Sequence, residues 1–153
     1  MRLWRIGVAA FPVFSGDGAR LKGGRWNQRG TPAIYAATSY ASALLEILVH
    51  TNIGRVPPAL RHVRIDIPDD AVVETLGPED VPDWDAIPAG PSRIAGETWL
   101  RERSGLVLLV PSIVTRGLDQ NAMINPAHPD FGRIVVSPEE PVAWDPRMNP
   151  VRS

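Results

Sequence analysis

The chain of 153 residues has no cysteine, which excludes disulfides, thiolate metal sites and a cysteine nucleophile. Lysine is nearly absent, since Lys22 is the single lysine beside fifteen arginines. No apolar run approaches the roughly 18–20 residues that a membrane-spanning helix needs. The apolar stretch 6–14 is broken by Pro12, and no small-x-small cleavage site follows it. It therefore reads as a first strand rather than a leader, and a cytoplasmic protein is expected. Acids are scarce in one half. Residues 1–65 hold nine Lys/Arg against only Asp17 and Glu46, whereas residues 66–153 hold seven Arg against fifteen Asp/Glu. The isoelectric point of 6.3 lies far below the ~9 of a bulk nucleic-acid binder. The basic half thus points to local anion handling. A Walker pattern, Gly-x-Gly-x-x-Gly and Gly-x-Ser-x-Gly are all missing.

At 44% hydrophobic and 22% charged, the chain has the makings of one folded domain over 1–153. Thirteen glycines and sixteen prolines call for many short elements joined by tight turns. Strands are expected at 3–9, 33–37, 62–67, 72–76, 106–110, 122–125 and 133–137. The stretch 62–67 alternates polar His62, Arg64 and Asp66 with apolar Val63, Ile65 and Ile67. Helices are expected at 39–50, capped by Thr38 or Ser39, and at 92–103, capped by Ser92. Residues 16–30 read as a Gly/Arg-rich loop, and the acidic, proline-rich 68–91 as a short strand and a long surface loop. The tail 138–153 reads as irregular. Several strands with two helices give an α+β fold with a mixed or largely antiparallel sheet.

Helix 39–50 carries the sharpest signal. Ala41, Ala43, Leu44, Leu45, Ile47, Leu48 and Val49 cover most of its wheel, and only Ser42, Glu46 and His50 share a polar sector. Burying a carboxylate without a partner is costly. Glu46 therefore faces a structural partner or a ligand cleft, unless the sector is a solvent stripe. The loop from Arg20 to Gly30 brings Arg20, Lys22, Arg25 and Arg29 together among glycines, a composition suited to an anion and equally to a solvated loop. Trp26 adds a flat face for stacking. Ser112, in Val-Pro-Ser-Ile-Val, is a turn serine or a hydrogen-bonder to a ligand. His50, His62 and His128 show no metal spacing, with His128 part of a rigid turn. Tyr35 is a core aromatic or a stacking platform.

In order along the chain stand Gly24-Arg25-Trp26-Asn27, Tyr35-Ala-Ala-Thr-Ser, Ala43-Leu-Leu-Glu46, Val110-Pro-Ser112, and Asn121 with Asn125-Pro-Ala-His-Pro-Asp-Phe131. Together they resemble the RES-domain toxins, named for an Arg, a Glu and a Ser that match Arg25, Glu46 and Ser112. The match spans about 3–137. The resemblance implies a fold similar to diphtheria-toxin-type ADP-ribosyltransferases. It implies a bacterial toxin–antitoxin pair, with an Xre-like helix-turn-helix antitoxin that makes the DNA contact and a higher-order complex as one assembly. The implied activity is consumption of NAD⁺ as a substrate, by hydrolysis, by phosphorolysis, or by ADP-ribosylation of a protein. Glu46 would stabilise the oxocarbenium-like ribose and deprotonate an incoming acceptor, and Arg25 would pair with the pyrophosphate or a ribose edge, assisted by Lys22. Tyr35 would stack on nicotinamide, Ser112 would hydrogen-bond its ribose or amide, and Asn121 would help hold the cofactor. Tyr40 is available as the second tyrosine such folds place near the site. No metal is implied. A non-enzymatic anion- or nucleic-acid-binding module is the remaining reading of the basic half.

Overall fold

A computed structural model describes residues 1–51 and 59–148. Among these the elements run β1 (Arg2–Val8), α1 (Asp17–Lys22), β2 (Ile34–Ala37), α2 (Tyr40–His50), β3 (Leu60–Asp66), β4 (Val73–Thr75), α3 (Pro91–Glu102), β5 (Val107–Pro111), β6 (Gln120–Ile124), β7 (Val135–Val136) and β8 (Glu140–Pro141). All eight strands join one sheet in the order β4-β5-β6-β2-β1-β3-β7, and β8 pairs with β3. Every pairing is antiparallel except β4 with β5. The expected α+β class with a mixed sheet is the class found.

Alternation along the strands divides the core. Leu3, Ile34, Ala36, Val63, Ile65, Val107, Ala122 and Ile124 fill one face. On the opposite face two clusters stand apart. Ile6, Ala37 and Ala43 pack with Trp4 under α2, and Trp26, Val81, Trp84, Trp99, Leu108, Val110 and Met123 pack under α3 and its loops. Each fully buried side chain of this size contributes about 1.5–3 kcal/mol, so both clusters are firm walls. The space between them is where a ligand can enter.

The sheet has its shortest ladder between β1 and β2, beside this space. Strands β1 and β2 share a single register pair, Trp4 with Ala37. The Arg5 guanidinium fills the gap, donating to the Tyr35 carbonyl at 2.5 Å and the Val13 carbonyl at 2.6 Å. A carbonyl that would lose its ladder partner is thereby satisfied.

Several local expectations change. Residues 16–30 contain the short helix α1 rather than loop alone, closed by Gly23 at φ 71°. Ser39, not Thr38, caps α2 by accepting from the Ser42 N–H at 3.1 Å. Ser92 does not cap α3. Pro91 opens that helix, and the Ser92 hydroxyl donates instead to the Arg25 carbonyl at 2.8 Å. The acidic segment is anchored by Val81 and Trp84, both buried, so it is not a free surface loop. Strand β8 lies in the tail expected to be irregular, of which 149–153 is outside the described residues. Helix α2 is less buried than its wheel suggests, with Ala43 buried but Leu45 and Val49 exposed.

The Arg25 loop and α3 touch so closely at Gly96 that a Cβ there would overlap the Trp26 carbonyl. That obstacle is backbone and cannot swing away. Gly96→Ala is expected to destabilise the fold by about 1–3 kcal/mol or more through overpacking, read as a lowered urea midpoint.

Candidate active site

The cleft between the two clusters has a volume of about 750 Å³, within the usual size of ligand sites. Its floor is the sheet, at Trp4, Tyr35, Ala37, Val110 and Asn121. One wall is α2 with Glu46 and His50, and the other is built by Lys22 at the end of α1, Arg25 in the glycine loop and Arg93 in the first turn of α3. The structure therefore sets a carboxylate on one side and three cations on the other.

Glu46 is the most constrained group. Its Oε1 accepts from the Ser112 hydroxyl at 2.9 Å and from Asn121 Nδ2 at 2.7 Å. Its Oε2 has His50 Nε2 at 3.7 Å. The side chain is 19% exposed, so the polar sector of α2 is a cleft wall rather than a solvent stripe. The donors come together because β5 and β6 pair Val110 with Asn121 and Ser112 follows β5 by one residue. The Ser112 N–H in turn donates to the Asp119 carbonyl at 2.9 Å, which fixes the turn between those strands. Hydrogen bonds to a charged group contribute about 1.5–3 kcal/mol each, enough to offset partial desolvation of one carboxylate. Ser112 is itself buried, so its hydroxyl meets Glu46 rather than open space.

Arg25 does line the cleft, but part of its guanidinium is already used. Its Nη1 donates to the Trp84 and Ala86 carbonyls, both at 3.0 Å, tying the acidic segment to the site. Tyr35 lines the floor, and its hydroxyl is engaged in both directions. It donates to Asn27 Oδ1 at 2.7 Å and accepts from the Trp26 N–H at 3.0 Å. Burial pushes this phenol well above the ordinary tyrosine range, while the Trp26 N–H and the charges of Arg93 and Arg25 pull the other way. Tyr40 lies outside the lining, edge-on to Trp4 with ring centroids 5.3 Å apart. Trp26 is a buried member of the core under α3, so it offers no open stacking face. His128 caps the turn at Pro129–Arg133 by accepting from the Asp130 N–H.

Sequence reasoning gave no role to the residues that hold the loop, although Asn27 stands in the motif at 24–27. Buried Asn27 donates to the Ala19, Gln28 and Thr31 carbonyls. Buried Glu97 accepts from the Thr31 hydroxyl at 2.5 Å, the Gln28 N–H at 3.1 Å and Arg101 at 3.2 Å. Burial alone would raise the Glu97 pKa, but these donors outweigh it and hold the carboxyl below its usual range. Arg93 was also missed. Its available signal was a cation in the first turn of a helix, where the dipole disfavours it. No group of three or more His, Asp or Glu able to hold a metal occurs among the described residues.

Residues 2–145 match the profile described as RES domain. The chain belongs to the RES-domain family. A RES relative from Sphingobium sp. (strain YBL2), named Prs ADP-ribosylating toxin, is 40% identical over 153 residues, covering 95% of this chain and 94% of its own. Another, Toxin Res of Pseudomonas putida, is 40% identical over 131 residues, covering 84% of this chain and 87% of its own. The RES fold here is similar to a chain in the crystal structure of the M. tuberculosis MbcT-MbcA toxin–antitoxin complex. That likeness has a TM-score of 0.73 at 22% identity, over 92% of this chain and 83% of that one.

Tyr35 allows a test of how this RES site is held together. Tyr35→Phe leaves the Trp26 N–H and Asn27 Oδ1 unpartnered and is expected to cost about 1–3 kcal/mol in urea unfolding. The folded pKa of this phenol is raised, so its contribution is complete below the unfolded value of about 10 and is lost as pH rises beyond it. The stability gap between wild type and the variant should be constant near neutral pH and shrink above about pH 10.

Proposed function

We propose that this chain is the toxin of a bacterial toxin–antitoxin pair and that it consumes NAD⁺ by breaking the nicotinamide–ribose bond. The observation that carries this reading is Glu46 Oε1, fixed by Ser112 and Asn121 in a cleft whose other wall is cationic. NAD⁺ has the matching charge pattern, with a cationic nicotinamide riboside at one end and a diphosphate in the middle.

When the C1′–N bond breaks, its electron pair goes to the pyridinium nitrogen and nicotinamide departs neutral. No general acid is needed. Positive charge moves to the ribose ring, and a fixed carboxylate beside it favours the transition state over the ground state. Glu46 is preorganised for this, because Ser112 and Asn121 stop it from swinging toward solvent or toward a cation. Oε2 is then the oxygen available to the ribose and to the proton of an attacking acceptor. With water as acceptor, its oxygen bonds to C1′ and its proton passes to Glu46 or solvent, giving ADP-ribose. With phosphate as acceptor the product is ADP-ribose 1″-phosphate. Arg25 and Lys22 add positive charge to the wall that meets the diphosphate, Tyr35 packs beside nicotinamide, and Asn121 serves the cofactor through Glu46. In this reading Tyr40 acts only through Trp4.

The name of the Sphingobium relative, an ADP-ribosylating toxin, favours a second reading in which the same first step delivers ADP-ribose to a protein. The partner in either case is an antitoxin, of the Xre-like helix-turn-helix type, acting with the toxin in the cytoplasm. Among the described residues no helix is long and apolar enough to cross a membrane.

Purified protein given adenylate-labelled NAD⁺ in a cell lysate tests both readings. Free nicotinamide should appear, with label in ADP-ribose or its phosphate. Label on a discrete protein band would select the second reading. Absence of free nicotinamide with antitoxin-free protein would overturn both.

A further inference from the structure

Three cations line the wall facing Glu46, and they are not equivalent. Arg25 spends Nη1 on the Trp84 and Ala86 carbonyls. Lys22, at the end of α1, is a flexible point charge. Arg93 spends only Nε, donated to the Gly24 carbonyl at 3.0 Å. Of the five N–H groups on a guanidinium, the four on its terminal nitrogens have no protein acceptor among the described residues. The bond to Gly24 anchors the Nε side of the group and leaves the edge formed by its two terminal nitrogens free.

Arg93 is also half-buried and lacks the counter-ion its position would normally supply. The acid one turn along α3 is Glu97, and that carboxylate is committed to Thr31, Gln28 and Arg101. No carboxylate forms an ion pair with Arg93, Arg25 or Lys22 among the described residues. A cation in the first turn of a helix is disfavoured by the dipole, and a half-buried one without an anion is disfavoured again. An ordinary surface arginine meets neither penalty. Arg93 bonds the carbonyl of Gly24, the residue before Arg25, and both arginines line the cleft, so the two side chains belong to one wall.

We propose that Arg93 is the main phosphate-binding residue of this cleft, presenting its free guanidinium edge as a two-pronged donor to the diphosphate of a dinucleotide. Arg25 then acts chiefly as the strut that holds the acidic segment and shapes the wall, and Lys22 adds unspecific charge. The proposal rests on the NAD⁺ reading for the identity of the ligand, but the site itself requires only a diphosphate. Planar donors match phosphate oxygens in a way an ammonium cannot, so lysine at this position is only a partial substitute.

The test is calorimetric titration of ADP-ribose into wild type, Arg93→Gln and Arg93→Lys, with inorganic pyrophosphate as a competitor and urea midpoints to show that each protein is folded. Arg93→Gln should weaken ADP-ribose at least roughly tenfold, the loss expected for charge-assisted hydrogen bonds. Arg93→Lys should recover part of that loss, and pyrophosphate should compete only where Arg93 or its lysine replacement is present. In turnover, the change should fall on KM for NAD⁺ much more than on kcat. ADP-ribose binding equal to wild type in folded Arg93→Gln overturns the proposal. So does an ADP-ribose affinity too weak to detect in wild type, or an equal loss in both variants. If Arg93 governs ADP-ribose binding while wild type frees no nicotinamide, the diphosphate site stands and the cleavage reading falls. If NAD⁺ is cleaved with KM unchanged in Arg93→Gln, the reverse holds.

Discussion

One carboxylate oxygen, Glu46 Oε1, ties three parts of the fold together. It sits on α2, and its donors come from the end of β5 and the start of β6. The antiparallel register of Val110 with Asn121 decides whether those donors can reach the same oxygen. A slip of one residue would turn Asn121 to the other face of the sheet and take from Glu46 the shorter of its two hydrogen bonds. The two hydrogen bonds therefore do more than stabilise. They make the position of a negative charge a property of the sheet, which is the condition for electrostatic preorganisation.

The opposite wall obeys the same logic with the signs reversed. The loop from Gly24 to Gln28 has little regular structure, and its backbone groups need partners. Those partners come from α3 and β2: Ser92 donates to Arg25, Arg93 to Gly24, Glu97 accepts from Gln28, and Tyr35 accepts from Trp26. Gly96 lets the helix approach closely enough for the three contacts that α3 supplies. Arg25 is thus displayed by a clamped loop, between Lys22 at the end of α1 and Arg93 in the first turn of α3. Their lack of carboxylate partners reflects the use of Glu97 inside the loop clamp rather than outside it.

Much of this was legible in the residues themselves. Alternation at 62–67, the serine before the apolar run of α2, and the proline closing β5 marked elements that fold where expected. Glu46 stood out as one of only two acids in the basic half, set in the narrow polar sector of an apolar helix. The apolar wheel of α2 misled in degree, because a wheel counts apolar residues without showing how much sheet there is to cover them. α1 escaped notice because a six-residue helix flanked by glycines has no period to detect. Ser92 looked like a cap because nothing local shows that its hydroxyl is needed 67 positions upstream. Arg93, Glu97 and Asn27 share that difficulty. Their roles lie in contacts between distant segments, and one sequence records none of them.

The central claim is that a fixed negative charge at Glu46, and not its shape, drives bond cleavage. Glu46→Gln keeps the size and an acceptor oxygen for Ser112 and Asn121 but removes the charge. The decisive measurement is single-turnover release of nicotinamide from NAD⁺ by this variant, with ADP-ribose affinity determined on the same sample. The account predicts a fall in release of roughly a hundredfold or more, in line with the loss of a preorganised electrostatic group, with ADP-ribose affinity retained. Release at the wild-type rate would contradict it.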